Sequence, residues 1–549
     1  MFSAVSKFST PSISNSAIGL ITKHLYSTSI KMKTYDEAVN TLNNLQTNFA
    51  TIQQVRLSGN KNMDTLLQMF EYSKRIGYDA AEYDKLNLLH VTGTKGKGST
   101  CAFIHSLISQ YKNCTDKVTK VGLYTSPHLK SVRERICIDG KPISEEKFAQ
   151  YFFEVYELLE NTNDDPSVTT ELTKDQRPAY FKFLTLLSFY VFMKEGVDAA
   201  VYEVGIGGEL DSTNIIHKPI ACGVSSIALD HTFVLGNTVE EISWNKSGIF
   251  KNGSSAFSVV QQPGSEKVLR ERAAEKGSSF EVVDIHPLLK DNNIKLGVDG
   301  DVQKINASLA LAMSYKFLKQ LDIPIYEDRP NSEVPDTIKE VTEFPGKILA
   351  GLAKAHIDGR SQTLPDSELE NLTWYIDGSH TVESIHRSSN WWKTTMLAKK
   401  EKTPEKFNDS IKVVLFNQQS RNIEELLTEL YKTLEDTVVF DQAIFSTNVT
   451  WANNKYDINL VSMNVDDKKV DELEMQKRSA ITFETLQAET NKEKNTNEIT
   501  KINVLHDIET GANLVRDLAK QNPEKDIDVF VCGSLHLVGG LLVVLDGTK

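Results

Sequence analysis

The chain has 549 residues, 40% hydrophobic and 25% charged, and a formal net charge of −13. Such a length holds two or more domains at about 150 residues each, and the composition is that of an ordinary soluble protein. The acidic balance excludes a nucleic-acid binder held by a general basic field, though not a local anion site, and no apolar run reaches the about eighteen residues of a membrane span.

Residues 1–35 contain no Asp or Glu but twelve Ser or Thr and four Lys. This acid-poor, Ser-rich start reads as a mitochondrial presequence over 1–33, although it lacks arginine. Met32 opens ordinary globular sequence. Two products are therefore expected, a mitochondrial matrix form from Met1 and a cytoplasmic form from Met32. The five cysteines are scattered with no C-x-x-C spacing, which suits a reduced compartment. Helices are expected over 36–57 and 62–76.

The most informative stretch is LLHVTGTKGKGST, residues 88–100. Leu88 to Val91 read as a buried strand, a glycine-rich turn carries Lys95 and Lys97, and a helix opens at Ser99-Thr100. A strand, a glycine loop and a helix N-terminus make an anion site, for which a triphosphate is the natural guest. The glycine spacing departs from G-x-x-x-x-G-K-[ST], because Gly98 separates Lys97 from Ser99.

KVGLYTSPHLKSVRERI, 120–136, gives a short strand that ends near Ser126, held extended by Pro127. Arg133 and Arg135 follow, either to meet an anionic substrate or as solvated surface charges. Helices fit 145–160 and the apolar stretch from Pro178. In AAVYEVGIGGELDSTNII, 199–216, a strand carries Glu203 just before Gly205, Gly207 and Gly208. A buried carboxylate demands a cation or a paired partner. The next strand, 220–227, is followed by Asp230 and His231. In a parallel sheet the ends of such strands gather on one edge, where open α/β sheets bind ligands. Ser126, Glu203 and His231 there, beside a triphosphate, would suit a divalent metal ion. A helix over 238–251 carries Lys246, and another over 302–321 carries Asn306.

From 322 the chain turns proline-rich and charged, which marks a domain boundary. Strands then fit 373–376, 411–416, 441–446 and 528–534, and helices fit 383–399, 422–434 and 508–521. Residues 465–498 alternate in charge and read as an exposed, partly helical or mobile insertion. The expected fold is α/β: a P-loop ATPase-type domain with a mostly parallel sheet over 34–345, a linker with an insertion at 346–361, and a smaller Rossmann-like α/β domain over 362–549.

The motifs HVTGTKGKGSTCAF at 90, GLYTSPHLKSVRERI at 122, VYEVGIGGELDSTNII at 201, ALDHT at 228, KSGIFK at 246, TWYIDGSHT at 373 and VCGSLHLVGG at 531, with YFKFLTLLSFYVF at 180, resemble folylpolyglutamate synthases of the eukaryotic type, within the Mur ligase superfamily. The loop's glycine spacing fits that family's variant. The resemblance implies an ATP-dependent ligase that adds L-glutamate to the γ-carboxyl of the glutamyl tail of reduced folates. The route would pass through an acyl phosphate and yield ADP and phosphate. It implies that Gly96, Lys97, Gly98 and Ser99 bind phosphate, that Ser126, Glu203 and His231 ligate Mg2+, and that Lys246, when carbamylated, helps hold a second Mg2+. It further implies Asp377 as a nucleotide contact, His380 near glutamate and phosphate, and Asn306 near the adenine. Catalytic roles would fall to Lys97, Lys246 and His380. The family's W-P-G-R arginine at the domain junction has no direct counterpart. Arg360 in Gly359-Arg360 is favoured for it, with Lys347 a lesser candidate. The expected partners are folate, glutamate and ATP, with no nucleic acid and no membrane, and the chain is expected to act as a monomer. The rival readings are dihydrofolate synthase, a bifunctional enzyme, a cell-wall Mur ligase and a nucleotide-binding regulatory module.

Overall fold

A computed structural model describes residues 33–46, 64–291, 293–419, 422–453, 455–460, 472–497 and 499–547. Residues 1–32 of the expected presequence with its internal start, residues 47–57 and 62–63 of the expected early helices, and residues 465–471 and 498 of the charged insertion lie outside the described residues.

The first domain is built on eight strands. In chain order they are β1 Leu89–Thr92, β2 Val121–Tyr124, β3 Ile136–Ile138, β4 Lys141–Pro142, β5 Ala199–Glu203, β6 Ala221–Val224, β7 Ser255–Val259 and β8 Ser279–Val283. Their spatial order is β4-β3-β2-β5-β1-β6-β7-β8. β2, β5, β1, β6, β7 and β8 run parallel, and β3 and β4 add an antiparallel edge. β1 and β5 are buried along their whole length, because helices cover both faces of the sheet. On one face, helices Lys97–Ser109, Val302–Gln320 and Gly346–Lys354 bury Phe103, Leu107, Met313 and Leu352 against Leu89 and Val91. On the other, helices Tyr35–Asn43, Thr65–Arg75, Glu145–Asn161 and Tyr180–Glu195 bury Phe148, Phe152, Phe189 and Tyr202. The apolar helix Tyr180–Glu195 stops at Gly196, whose φ of 65° makes it a left-handed cap.

The second domain has β9 Gln362–Pro365, β10 Leu372–Ile376, β11 Ile411–Phe416, β12 Gln442–Ser446, β13 Lys501–Leu505 and β14 Ile527–Cys532, in the order β13-β12-β11-β14-β10-β9. All are parallel except β9, which pairs antiparallel with β10. Helices again cover both faces. Among the described residues, no helix is long and apolar enough to cross a membrane.

Two stretches differ from the sequence reading. Residues 346–354, expected as linker, form the helix Gly346–Lys354, and Ile348 and Leu352 join the first domain's core. The proline-rich run before it hides its short amphipathic pattern. The charged insertion is helical over Glu474–Lys494, as expected in part, but it is not simply exposed: it buries Ala480 and Phe483 against the second sheet and leads into β13. It is the crossover that parallel pairing of β12 and β13 requires, and its few apolar positions are diluted by surface charge.

The domains are coupled by a reciprocal contact. Leu129, from the loop after β2, is 8% exposed and belongs to the second domain's cluster with Leu537, Val538 and Leu541. A Cβ on Gly539 would lie 2.1 Å from the Leu129 carbonyl oxygen, so only glycine allows that approach. In return, Ile458 of the second domain packs on the first domain's cluster. Leu129→Ala should cost about 2 kcal/mol or more and split urea-induced unfolding into two transitions. A single unshifted transition would show that this contact does not couple the domains.

Candidate active site

The C-terminal ends of β1, β2, β5 and β6 meet on one edge of the first sheet. Beyond β1 the chain turns through Gly93 to Gly96 into helix Lys97–Ser109. Gly96 is the N-cap, at φ +89°, with no side-chain cap for the first turn. The amides of that turn are therefore available to an anion, and the helix dipole favours one there. A Cβ on Gly96 would lie 2.3 Å from Asn306 Oδ1. Asn306 donates through Nδ2 to Gln303 Oε1 at 2.9 Å, while its Oδ1 is buried without a hydrogen-bond partner. That acceptor lies against the phosphate loop.

Lys97 and Lys246 converge beneath the loop. Lys97 Nζ donates to the Gly93 carbonyl at 3.1 Å, and Lys246 Nζ donates to the same oxygen at 2.8 Å. Lys246 ends helix Val239–Lys246, which starts in a capping box between Thr238 and Glu241. It is 3% exposed and lies behind the loop rather than on the cleft wall. Burial, reinforced by Lys97, pushes its ammonium well below the usual lysine range.

Glu203 closes β5 at the level of Val91 in β1. It is 4% exposed, and its Oε2 accepts the Ser126 N–H at 3.1 Å. A Cβ on Gly98 would lie 3.6 Å from that oxygen, so the start of the helix and the carboxylate face each other. Burial raises the Glu203 pKa, opposed by Lys97, the Ser126 amide, Arg360 and Arg135. Asp230 and His231 stand beyond β6. Asp230 pairs with Lys95 at 3.5 Å and accepts the His231 N–H at 2.9 Å. Among the described residues, no group of three His, Cys, Asp or Glu side chains gathers to bind a metal alone. A buried carboxylate and a hydroxyl residue beside a phosphate cradle instead suit a magnesium ion shared with the phosphates, because Mg2+ takes few protein oxygens. Ser126 and Glu203 fit that demand best. His231 lines the same cleft.

The second domain contributes Arg360, Asp377 and His380. Asp377 follows β10, and its backbone N–H donates to the Val531 carbonyl at 3.0 Å. Its Oδ2 accepts the Ser361 N–H at 2.8 Å. Burial pushes its pKa up and Arg360 works against that. His380 donates from Nδ1 to the Gly378 carbonyl at 3.0 Å. Lys347 lies elsewhere: it pairs with Glu327 at 3.0 Å over the Tyr111 ring. Of the two junction candidates, only Arg360 reaches the cleft. Gly96, Lys97, Gly98, Ser99, Ser126, Glu203, His231, Asn306, Arg360, Asp377 and His380 all line one cleft of about 2150 Å3.

Sequence reasoning passed over Asp211. This buried carboxylate accepts the Ile206 and Thr213 N–H groups at 3.0 and 2.9 Å and organises the turn after β5. Its signal was an acid within a glycine-rich turn at a strand end.

Glu203 lends itself to a linkage test. Its folded pKa lies above the ordinary 4.5, so the ionised form is disfavoured in the unliganded protein. The stabilising effect of protonation is complete below the unfolded value and is lost as pH rises through the folded one. Glu203→Gln should therefore melt higher than the unliganded wild type near neutral pH. The advantage should shrink as pH falls toward the ordinary value of 4.5. An advantage that stays constant with pH, or a variant that melts lower at every pH, would contradict this account.

A family model described as the dihydrofolate synthetase C-terminal domain matches residues 361–544. The folylpolyglutamate synthase of Saccharomyces cerevisiae (strain AWRI796) is 45% identical over 520 residues, covering 94% of this chain and 87% of that protein. Two solved structures share the fold at 20% identity. The apo form of L. casei FPGS has a TM-score of 0.63, covering 94% of this chain and 100% of that one. The Mycobacterium tuberculosis folylpolyglutamate synthase complexed with ADP has a TM-score of 0.61, covering 90% and 98%. From its sequence relationship across nearly its whole length, this chain belongs to the folylpolyglutamate synthase family.

Proposed function

We propose that the chain catalyses ATP-dependent addition of L-glutamate to the γ-carboxyl of the glutamyl tail of reduced folates. The observation that carries this reading is the single cleft in which a phosphate loop, a buried carboxylate and an arginine from the other domain face one another. That the Mycobacterium tuberculosis folylpolyglutamate synthase was solved complexed with ADP supports a nucleotide as ligand.

A carboxylate is a poor electrophile and its oxygen a poor leaving group. In the proposed reaction a γ-carboxylate oxygen of the folate attacks the γ-phosphorus of ATP, the bond to the β-phosphate oxygen breaks, and ADP leaves. The neutral amine of glutamate then attacks the acyl carbon, the carbon–oxygen bond to phosphate breaks, and an amide and inorganic phosphate remain. The amine must lose a proton, and His380, on that wall of the cleft, is the residue placed to take it. Lys97 and the amides of the helix start hold the transferring phosphoryl group, so that catalysis is chiefly positioning and electrostatics. Magnesium, held by Ser126 and Glu203 with His231 nearby, would supply further charge neutralisation. Arg360 and Asp377 bring the second domain to the nucleotide, and closure excludes the water that would hydrolyse an acyl phosphate. The cleft is completed by one chain's own two domains, which is consistent with a monomer.

Lys246 supports a finer reading. A buried amine driven toward its neutral form can add to CO2. Its nitrogen would form a bond to the carbon and lose one proton, giving a carbamate that could help hold a second magnesium ion. Intact mass measured under bicarbonate should then exceed that of Lys246→Ala by one CO2 beyond the substitution itself.

A second reading, dihydrofolate synthase, draws on the family model that matches 361–544. One assay separates the two: ADP release with ATP, magnesium and glutamate, offering tetrahydrofolate or dihydropteroate as acceptor. Tetrahydrofolate should support release, with product mass rising by successive glutamyl units. Release with dihydropteroate alone, stopping after one addition, would transfer the assignment to the second reading. In the same assay Arg360→Ala should lower kcat/KM by about 10²-fold or more with an unchanged melting temperature. An equal loss of folding and turnover would contradict its place at the nucleotide.

A further inference from the structure

Arg135 lines the cleft and is 8% exposed. Among the described residues no carboxylate forms an ion pair with it. An arginine held that far from water without an anion is built to receive one. Its guanidinium stands over the Tyr180 ring at 5.6 Å, and its Nε donates to His128 Nδ1 at 2.9 Å. That bond requires an unprotonated Nδ1, so the imidazole proton sits on Nε2. Nε2 in turn donates to the Asn459 carbonyl at 2.8 Å.

Asn459 belongs to the second domain, on the connection that follows β12. Its Oδ1 accepts the Tyr35 hydroxyl at 2.5 Å and the Val132 N–H at 3.2 Å, both from the first domain. The neighbouring Ile458 carbonyl accepts Asn43 Nδ2 at 3.0 Å. The polar chain is therefore flanked by the two reciprocal apolar insertions, Leu129 beside His128 and Ile458 beside Asn459.

We propose that Asn459 and His128 are positioning residues, forming a link between domains that aims Arg135 at a substrate carboxylate while the second domain is docked. The proposal rests on the ligase reading, whose two anionic carbon substrates are the folate tail and the incoming glutamate. Docking supplies the acceptor that selects one tautomer of His128, and that tautomer supplies the acceptor that orients Arg135. Without the Asn459 carbonyl the ring can carry its proton on Nδ1. The Arg135 Nε–H then meets a donor, and the guanidinium loses its aim.

The test is steady-state kinetics of the full chain with ATP, glutamate and folate varied in turn. His128→Phe removes the link, and Asn459→Ala removes the side-chain anchors of the segment. His128→Gln keeps one amide donor and one acceptor. His128→Phe and Asn459→Ala should each raise KM for one carboxylate substrate about tenfold, leaving kcat within about threefold and the KM for ATP unchanged. A rise confined to glutamate assigns Arg135 to the incoming amino acid, and one confined to folate assigns it to the tail. His128→Gln should retain most of the wild-type KM. The double variant should be no worse than His128→Phe alone, as residues acting through one path are not additive. Parallel losses for ATP, additive effects, or a His128→Gln enzyme as weak as His128→Phe would overturn the link. The 15N shifts of His128 give a readout independent of turnover: one Nε2–H tautomer in the wild type, a mixture in Asn459→Ala. The same spectrum in both would also overturn it. A wild type without glutamate-dependent ADP release, but with that tautomer shift, would overturn the ligase reading and leave the link standing.

Discussion

A carboxylate buried where β1, β2 and β5 end must be met by positive charge, and the structure supplies that charge from separate quarters. Lys97 comes from the start of the helix after the phosphate loop, Arg135 from the edge of the antiparallel hairpin, and Arg360 from the second domain. Among the described residues none of them forms an ion pair with Glu203, which accepts a hydrogen bond from the Ser126 amide. The arrangement suits the proposed role of Glu203 as a ligand to a cation that arrives with the substrates. The parallel sheet is what makes this possible, because it alone brings the ends of β1, β2, β5 and β6 to one edge.

The same logic explains why a second domain is needed. The first sheet carries the phosphate loop and Glu203, but Arg360, Asp377 and His380 hang from the end of β10 and the junction before it. Cleft chemistry therefore depends on docking. Docking is secured by small residues at close approaches, Gly359 and Gly539 against Leu129, and by polar contacts at the Ile458–Leu460 turn. In the proposed reaction this docking would also keep water from the acyl phosphate.

Much of this was legible in the sequence. The phosphate loop announced itself as strand, glycines and helix start, and period and composition exposed the strands at 373, 411, 441 and 528. Parallel strands with short connections are enough to bring Ser126, Glu203 and His231 to one edge. Other features carried no local signal. β13 is a partly exposed edge strand behind a charged stretch, and β3 and β4 are too short to show alternation. Helix Glu474–Lys494 has a thin apolar stripe among charges. The His128–Asn459 contact joins residues 331 positions apart, and no spacing rule could find it. Lys246 was legible as a residue, but its burial behind the loop depends on the packing of helix Val239–Lys246 beneath Gly93.

The most direct measurement is anomalous diffraction from crystals grown with manganese, standing in for magnesium, and a nonhydrolysable ATP analogue. A manganese peak coordinated by Glu203 and Ser126, with the phosphates on the Gly96–Ser99 turn, is the expected result. A metal bound away from Glu203, with that carboxylate instead paired to Lys97 or Arg360, would contradict it.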